Sequence, residues 1–158
     1  MVSSQDRQRV EALLPHRPPF LFVDRIVEVG EDWITTEWHV PEDLPAFTGH
    51  YPGNPVLPGV LIAEHCFQSA ALLIFSADGG SEQDEGVPVL TKIEDARFRH
   101  MVAPDTLLST RVQLDEQLSN ARYMSAVVRA GQRTVVRIRF VLALAPRTTP
   151  LAAPETAP

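Results

Sequence analysis

The feature that most constrains this chain is a change of composition at Pro58. Five prolines lie between Pro41 and Pro58, together with Gly49 and Gly53. Proline fixes φ and lacks a backbone N–H, so this run cannot form a regular helix or strand. A loop of that length in a compact domain is usually functional. From Gly59 to about Phe75 there is neither proline nor a further glycine. The apolar residues of this segment fall almost all round a helical wheel, which predicts a helix buried on nearly every side. Such a helix has to be covered by other parts of the chain.

The covering elements read as strands. Ser3 to Leu14 is a short helix, with Ser4 as a candidate N-cap and Pro15 as its stop. Phe20 to Val29 is rich in β-branched and aromatic residues and ends at Gly30, which predicts a strand. Trp33 to Val40 alternates, with Ile34, Thr36, Trp38 and Val40 on one face. After the helix come four more candidates: Val87 to Phe98, the alternating run Leu108 to Asp115, Asn120 to Arg129, and Thr134 to Leu144. The last two are joined by a turn at Ala130 to Arg133, and Val136, Ile138, Phe140 and Leu142 share a face opposite Arg137 and Arg139. Helix, two strands, long helix and four strands make an α+β arrangement, antiparallel strands wrapped around one central helix.

With 158 residues, 44% apolar and 22% charged, the chain fits one domain over 1–145. The remainder, 146–158, is a tail of proline, alanine and threonine with the composition of a disordered segment. Ala77 to Gly86 reads as an acidic surface loop. A net charge of −6 argues against nucleic acid as a partner. The single cysteine, Cys66, excludes an internal disulfide and a cysteine-rich metal site. The N-terminus lacks the apolar core of a signal peptide, and Val56 to Ala63, the most apolar stretch, is broken by Pro58. The expectation is a cytoplasmic protein that uses neither membrane, metal nor cofactor.

The chemistry concentrates between Gly49 and Gln68. Pro52, Pro55 and Pro58 restrict the loop that carries His50, so its ring can be held in one place. Glu64 follows Val60, Leu61, Ile62 and Ala63. A carboxylate in such company is costly to bury unless partnered, and Gln68 at i+4 can hydrogen-bond it. The amides of Gly59 and Val60 open the helix at the positive end of its dipole, where they can bind a developing oxyanion. A base, an acid and an oxyanion donor suit removal of a proton α to a carbonyl with loss of a β leaving group.

The segment Gly49-His50-Tyr51-Pro52-Gly53-Asn54-Pro55-Val56-Leu57-Pro58-Gly59-Val60-Leu61 with Glu64 and Gln68 resembles the central motif of the (3R)-hydroxyacyl-acyl carrier protein dehydratases of fatty-acid synthesis. Leu14-Pro15-His16-Arg17-Pro18-Pro19-Phe20-Leu21-Phe22-Val23-Asp24-Arg25 is similar to a second motif of that family, and Ala96-Arg97-Phe98-Arg99 to a weaker third. The resemblance covers about Val10 to Leu144 and implies a hotdog fold. It implies that His50 takes the C2 proton and that Glu64 helps the 3-hydroxyl leave. Gly59 and Val60 would hold the thioester carbonyl, and Gln68 would orient Glu64. It further implies a homodimer whose sites combine His50 of one subunit with Glu64 of the other, with dimers able to assemble into hexamers. The partner would be an acyl carrier protein bearing a 3-hydroxyacyl chain. The related dehydratase/isomerase branch usually has Asp at the acid position, so Glu64 favours the simple dehydratase.

Departures from the pattern are Tyr51 for Phe, Leu57 for Met, and His65, Cys66 and Phe67 after the glutamate, which could reshape an acyl tunnel. Together with the longer acidic loop they hint at a polyketide-type pathway. Arg97 and Arg99 are candidates for docking the carrier protein, a solvated strand face being the alternative. His16 reads as structural, and His39 and His100 as exposed. A hotdog thioesterase or enoyl isomerase, and a non-catalytic hotdog subunit, are the alternative functions. The joint presence of His50 and Glu64 argues against each.

Overall fold

A computed structural model describes residues 3–77 and 86–146. The acidic loop expected over Ala77 to Gly86 lies mostly outside these residues, as does nearly all of the tail expected from 146. The elements are α1 (Ser4–Leu13), β1 (Arg25–Val29), β2 (Trp33–His39), a 3-10 turn at Pro45–Thr48, α2 (Gly59–Ala77), β3 (Val87–Phe98), β4 (Leu107–Leu118), β5 (Ala121–Ala130) and β6 (Arg133–Ala145). The six strands form one antiparallel sheet in the order β1-β2-β4-β5-β6-β3. Wrapped around α2, this is the hotdog arrangement that the sequence implies.

The central helix is as apolar as its sequence suggests. Ile62, Cys66, Ala70, Leu72, Leu73 and Phe75 are buried, and they pack in one core with Ile34, Trp38, Leu108, Val112, Ile138 and Phe140 from the sheet. Full burial of a side chain such as Leu72 contributes about 1.5–3 kcal/mol. By length and composition alone this 19-residue helix could cross a membrane, contrary to the sequence expectation, but it is mostly buried inside the fold.

Two local expectations are corrected. The N-cap of α1 is Ser3, not Ser4. Its hydroxyl accepts from the Asp6 amide at 3.1 Å while the Asp6 carboxylate takes the Ser3 N–H, a reciprocal capping box. The first strand begins at Arg25 rather than Phe20. The backbone from Phe20 to Phe22 is bound instead by side chains of α2. The Gln68 amide donates to Phe20 O and its oxygen accepts from Phe22 N at 2.8 Å, while His65 Nδ1 donates to Phe22 O at 2.6 Å. Strand propensity is present in that segment, but its polar groups have partners other than a ladder.

His65 is a buried polar group of α2 with both ring nitrogens engaged. It is fully buried, and its Nε2 accepts from the Thr110 hydroxyl at 2.8 Å, so one imidazole joins the 20–22 segment, α2 and β4. Nearby, Ser69 and Thr36 share a 2.7 Å hydroxyl bond that joins α2 to β2. With one ring nitrogen donating and the other accepting, His65 is neutral. Burial pushes its pKa down to about 4 from the ordinary 6.5.

The sign of the resulting pH dependence follows directly. Above pH 6.5 both the folded and unfolded forms of His65 are neutral. Below that, the unfolded chain binds a proton that the folded chain refuses, so stability falls until about pH 4 and then levels. The loss from this residue should be about 3 kcal/mol. Chemical-denaturation midpoints across this range should fall more steeply for the wild type than for His65→Gln. Parallel curves would show that His65 is not the titrating group.

Candidate active site

His50 sits at the end of a turn that the prolines close on itself. Its backbone N–H donates to Ala46 O at 3.0 Å, and its carbonyl accepts from Val56 N at 3.1 Å. The ring adds a third tie, Nδ1 to Val56 O at 2.8 Å. A carbonyl can only accept, so Nδ1 carries the proton and Nε2 is left with its lone pair. The ring stacks on Tyr51 at 4.1 Å between centroids, and the peptide bond joining the two residues is cis. The stiffness read from the prolines thus takes the form of a fixed ring with a fixed tautomer.

His50 opens on a cleft of about 720 Å³ that is also lined by Gly59, Ile62, Phe98, Arg99 and Arg133. α2 begins at this cleft. The first helical bonds run from Leu61 N and Ile62 N to Pro58 O, and among the described residues the N–H groups of Gly59 and Val60 have no acceptor. They are the orphan donors at the positive end of the helix, beside the histidine. A Cβ added at Gly59 would come within 3.0 Å of the Phe98 ring, so glycine lets this half-exposed phenyl lie against the helix start. Val60 is 74% exposed and presents its side chain outward.

Glu64 has a different neighbourhood. Its Oε1 accepts from the Gln68 amide at 3.0 Å, and the same amide group is held by Phe20 and Phe22. His16 Nε2 lies 3.8 Å from that same Oε1. From sequence alone His16 reads as structural. The residues between it and Glu64 carry no local pattern that connects them, and only the surrounding Leu14-Pro15-His16-Arg17 run was a signal. The Glu64 side chain is 23% exposed, so the carboxylate reaches an open surface and is not sealed in the core.

The expected residues therefore form two half-sites within one chain. His50, Gly59 and Val60 make one, and Glu64 and Gln68 the other. Ile62 lines the histidine cleft, and Glu64 is two positions on, about 200° around the helix. Arg99 lines the cleft, whereas Arg97 is not among its lining residues and pairs with Asp95 at 3.2 Å. Arg133 at the cleft was missed, because a turn residue carries no periodic signal. His65 and Cys66 point into the core, and burial pushes the Cys66 thiol up, which keeps it protonated. Phe67 packs edge-on against Phe140 at 4.8 Å.

Comparisons with known proteins bear on the family and the fold. The FabA-like domain family matches residues 14–139. A 3-hydroxyacyl-[acyl-carrier-protein] dehydratase FabZ of Anaeromyxobacter sp. (strain Fw109-5) is 37% identical, over 90% of this chain and 91% of its own length. The protein of the same name from Solibacter usitatus is 34% identical, over 95% and 92%. Among solved structures, the dehydratase heterocomplex ApeI:P from Xenorhabdus doucetiae superposes with a TM-score of 0.72 at 16% identity, covering 87% of this chain and 91% of that one. A hypothetical thioesterase with coenzyme A from Streptococcus pneumoniae gives 0.60 at 14%, covering 79% and 88%. At these identities the structures share the fold alone.

Gln68 is the residue on which the Glu64 half-site hangs. Gln68→Ala removes the acceptor of a buried backbone N–H at Phe22 together with the donor to Glu64. An orphaned buried N–H costs about 1–3 kcal/mol. The melting temperature should fall by roughly 2–12 °C, and an unchanged melting curve would count against this clamp.

Proposed function

This chain belongs to the FabA-like domain family, and from that premise we propose that it is a 3-hydroxyacyl-[acyl-carrier-protein] dehydratase. It converts a (3R)-3-hydroxyacyl thioester to the trans-2-enoyl thioester and water, as in fatty-acid biosynthesis. The observation that carries the reading is His50 with its Nε2 lone pair free, beside the unpaired N–H groups at the start of α2. In this mechanism Nε2 takes the C2 proton. The electron pair is held as an enolate whose oxygen accepts from Gly59 N–H, with the Val60 N–H beside it. The pair then forms the C2–C3 double bond, and the C3–O bond breaks as Glu64 protonates the leaving hydroxyl. The reaction leaves His50 protonated and Glu64 ionised, and solvent returns the proton from one to the other.

The site requires two copies of the chain, in our reading. Support comes from the divergence of Ile62 and Glu64 around α2 and from the edge of β3, which is unpaired among the described residues. That strand ends the sheet, and Val89, Leu90, Ile93 and Phe98 on it are 40–51% exposed. A long apolar edge is a template for pairing. Pairing two such edges about a two-fold axis makes one continuous sheet and brings each Glu64 to the His50 cleft of the other subunit. Carrier-protein docking then falls to Arg99 and Arg133 at the cleft, with Arg97 secondary because Asp95 already engages it. Residues 1–145 are the unit that performs the reaction.

Mixing two inactive variants tests this directly. His50→Ala and Glu64→Gln should each nearly abolish loss of water from a 3-hydroxyacyl-carrier protein, read by mass spectrometry. Refolded together in equal amounts, about half of the dimers should be mixed, each with one intact site of two, giving roughly a quarter of wild-type activity. No recovery despite subunit exchange seen by native mass spectrometry would place both groups in one chain. A wild-type protein that releases the acyl group instead would make it a thioesterase.

A further inference from the structure

We propose that His16 is a positioning residue for Glu64, one that decides which carboxyl oxygen carries the proton delivered to the leaving hydroxyl. The inference rests on the dehydratase reading, in which Glu64 is the acid.

His16 is held in place by its neighbours. The Arg17 guanidinium donates to Leu14 O at 2.6 Å, to His16 O at 2.7 Å and to Glu11 O at 2.9 Å, which locks the chain as it leaves α1. Phe20 N then bonds Arg17 O at 2.9 Å, and the imidazole lies nearly parallel to the Phe20 ring, 6.3 Å away. Gln68 holds Phe20 O from α2. The ring is thereby fixed on the α2 side of the chain, with Nε2 toward Glu64.

The tautomer follows from burial. Nδ1 of His16 is buried and has no hydrogen-bond partner among the described residues. A buried N–H without an acceptor is rarer and costlier than an unsatisfied lone pair. The neutral ring therefore keeps its proton on Nε2, the atom that faces Glu64 Oε1 at 3.8 Å. Gln68 also donates to Oε1, at 3.0 Å. Oε1 thus accepts from Gln68 and has the imidazole Nε2 3.8 Å away, so the proton of the carboxylic acid resides on Oε2. That is the oxygen left for the substrate hydroxyl. When Oε2 gives up its proton, the new carboxylate draws the imidazole N–H in from 3.8 Å to a charge-assisted bond, because catalytic contacts tighten once charge develops.

The test compares His16→Ala and His16→Gln with the wild type in the same water-loss assay. His16→Ala should lower kcat by about 10- to 100-fold, the worth of one charge-assisted hydrogen bond, with KM changed less than about twofold. Added imidazole should restore part of kcat, and His16→Gln, which keeps an N–H donor, should retain more activity than His16→Ala. The inference fails if His16→Ala turns over like the wild type. It also fails if both variants lose activity equally, with lowered melting temperature and no rescue, since that is the signature of a structural role. A wild-type protein that removes no water would instead overturn the dehydratase reading, and the two failures are distinguishable on that arm alone.

Discussion

A helix that is apolar nearly all round has little surface to give to water, and the described elements around α2 are arranged to cover most of it. The sheet covers one side with Ile34, Leu108, Ile138 and Phe140. The irregular segment Phe20 to Phe22 covers another, and it is there that the polar groups of the helix are used. His65, Gln68 and Ser69 are all buried, and each is engaged by a group from outside the helix. Isolated buried polar groups would cost several kcal/mol each. Here they replace the ladder bonds that the covering segment lacks. The same Gln68 that satisfies Phe20 and Phe22 also holds Glu64, so covering the helix and orienting its carboxylate are one arrangement.

What could be read from sequence is what local chemistry determines. The proline run stiffens the His50 turn, and the absence of proline after Gly59 gives α2. The i+4 spacing of Glu64 and Gln68 becomes a 3.0 Å bond. Alternation gives β2 and β6, with Val136, Ile138, Phe140 and Leu142 on the buried face and Arg137 and Arg139 exposed. Readings that failed depend on partners far away in the chain. Phe20 to Asp24 has the composition of a strand, but composition does not reveal that two side chains some 45 residues further on occupy its backbone. The neighbourhood of His16 is hidden from local pattern for the same reason, since the carboxylate 3.8 Å away belongs to another element. Ser3 rather than Ser4 caps α1 because Asp6 lies three residues after Ser3, a pairing the sequence does contain.

The placement of the two reactive groups follows from helix geometry. An α-helix is about 10 Å across with its side chains. The histidine cleft meets α2 at Gly59 and Ile62, and Glu64 leaves from the far side, so the helix itself stands between base and acid of one chain. Loss of a C2 proton and a C3 hydroxyl from one bound substrate, however, needs both groups within hydrogen-bond reach of adjacent carbons. On the dehydratase reading proposed above, an isolated copy holds the base and the acid on different sides of α2, and a second copy of the chain would supply the missing half of each site. The edge of β3 is the surface best suited to that, since edge pairing extends a sheet that already curves around the helix. On this reading the apolar exposure of β3 and the separation of His50 from Glu64 have one explanation: the chemistry belongs to the assembled pair, and association is the step that completes it.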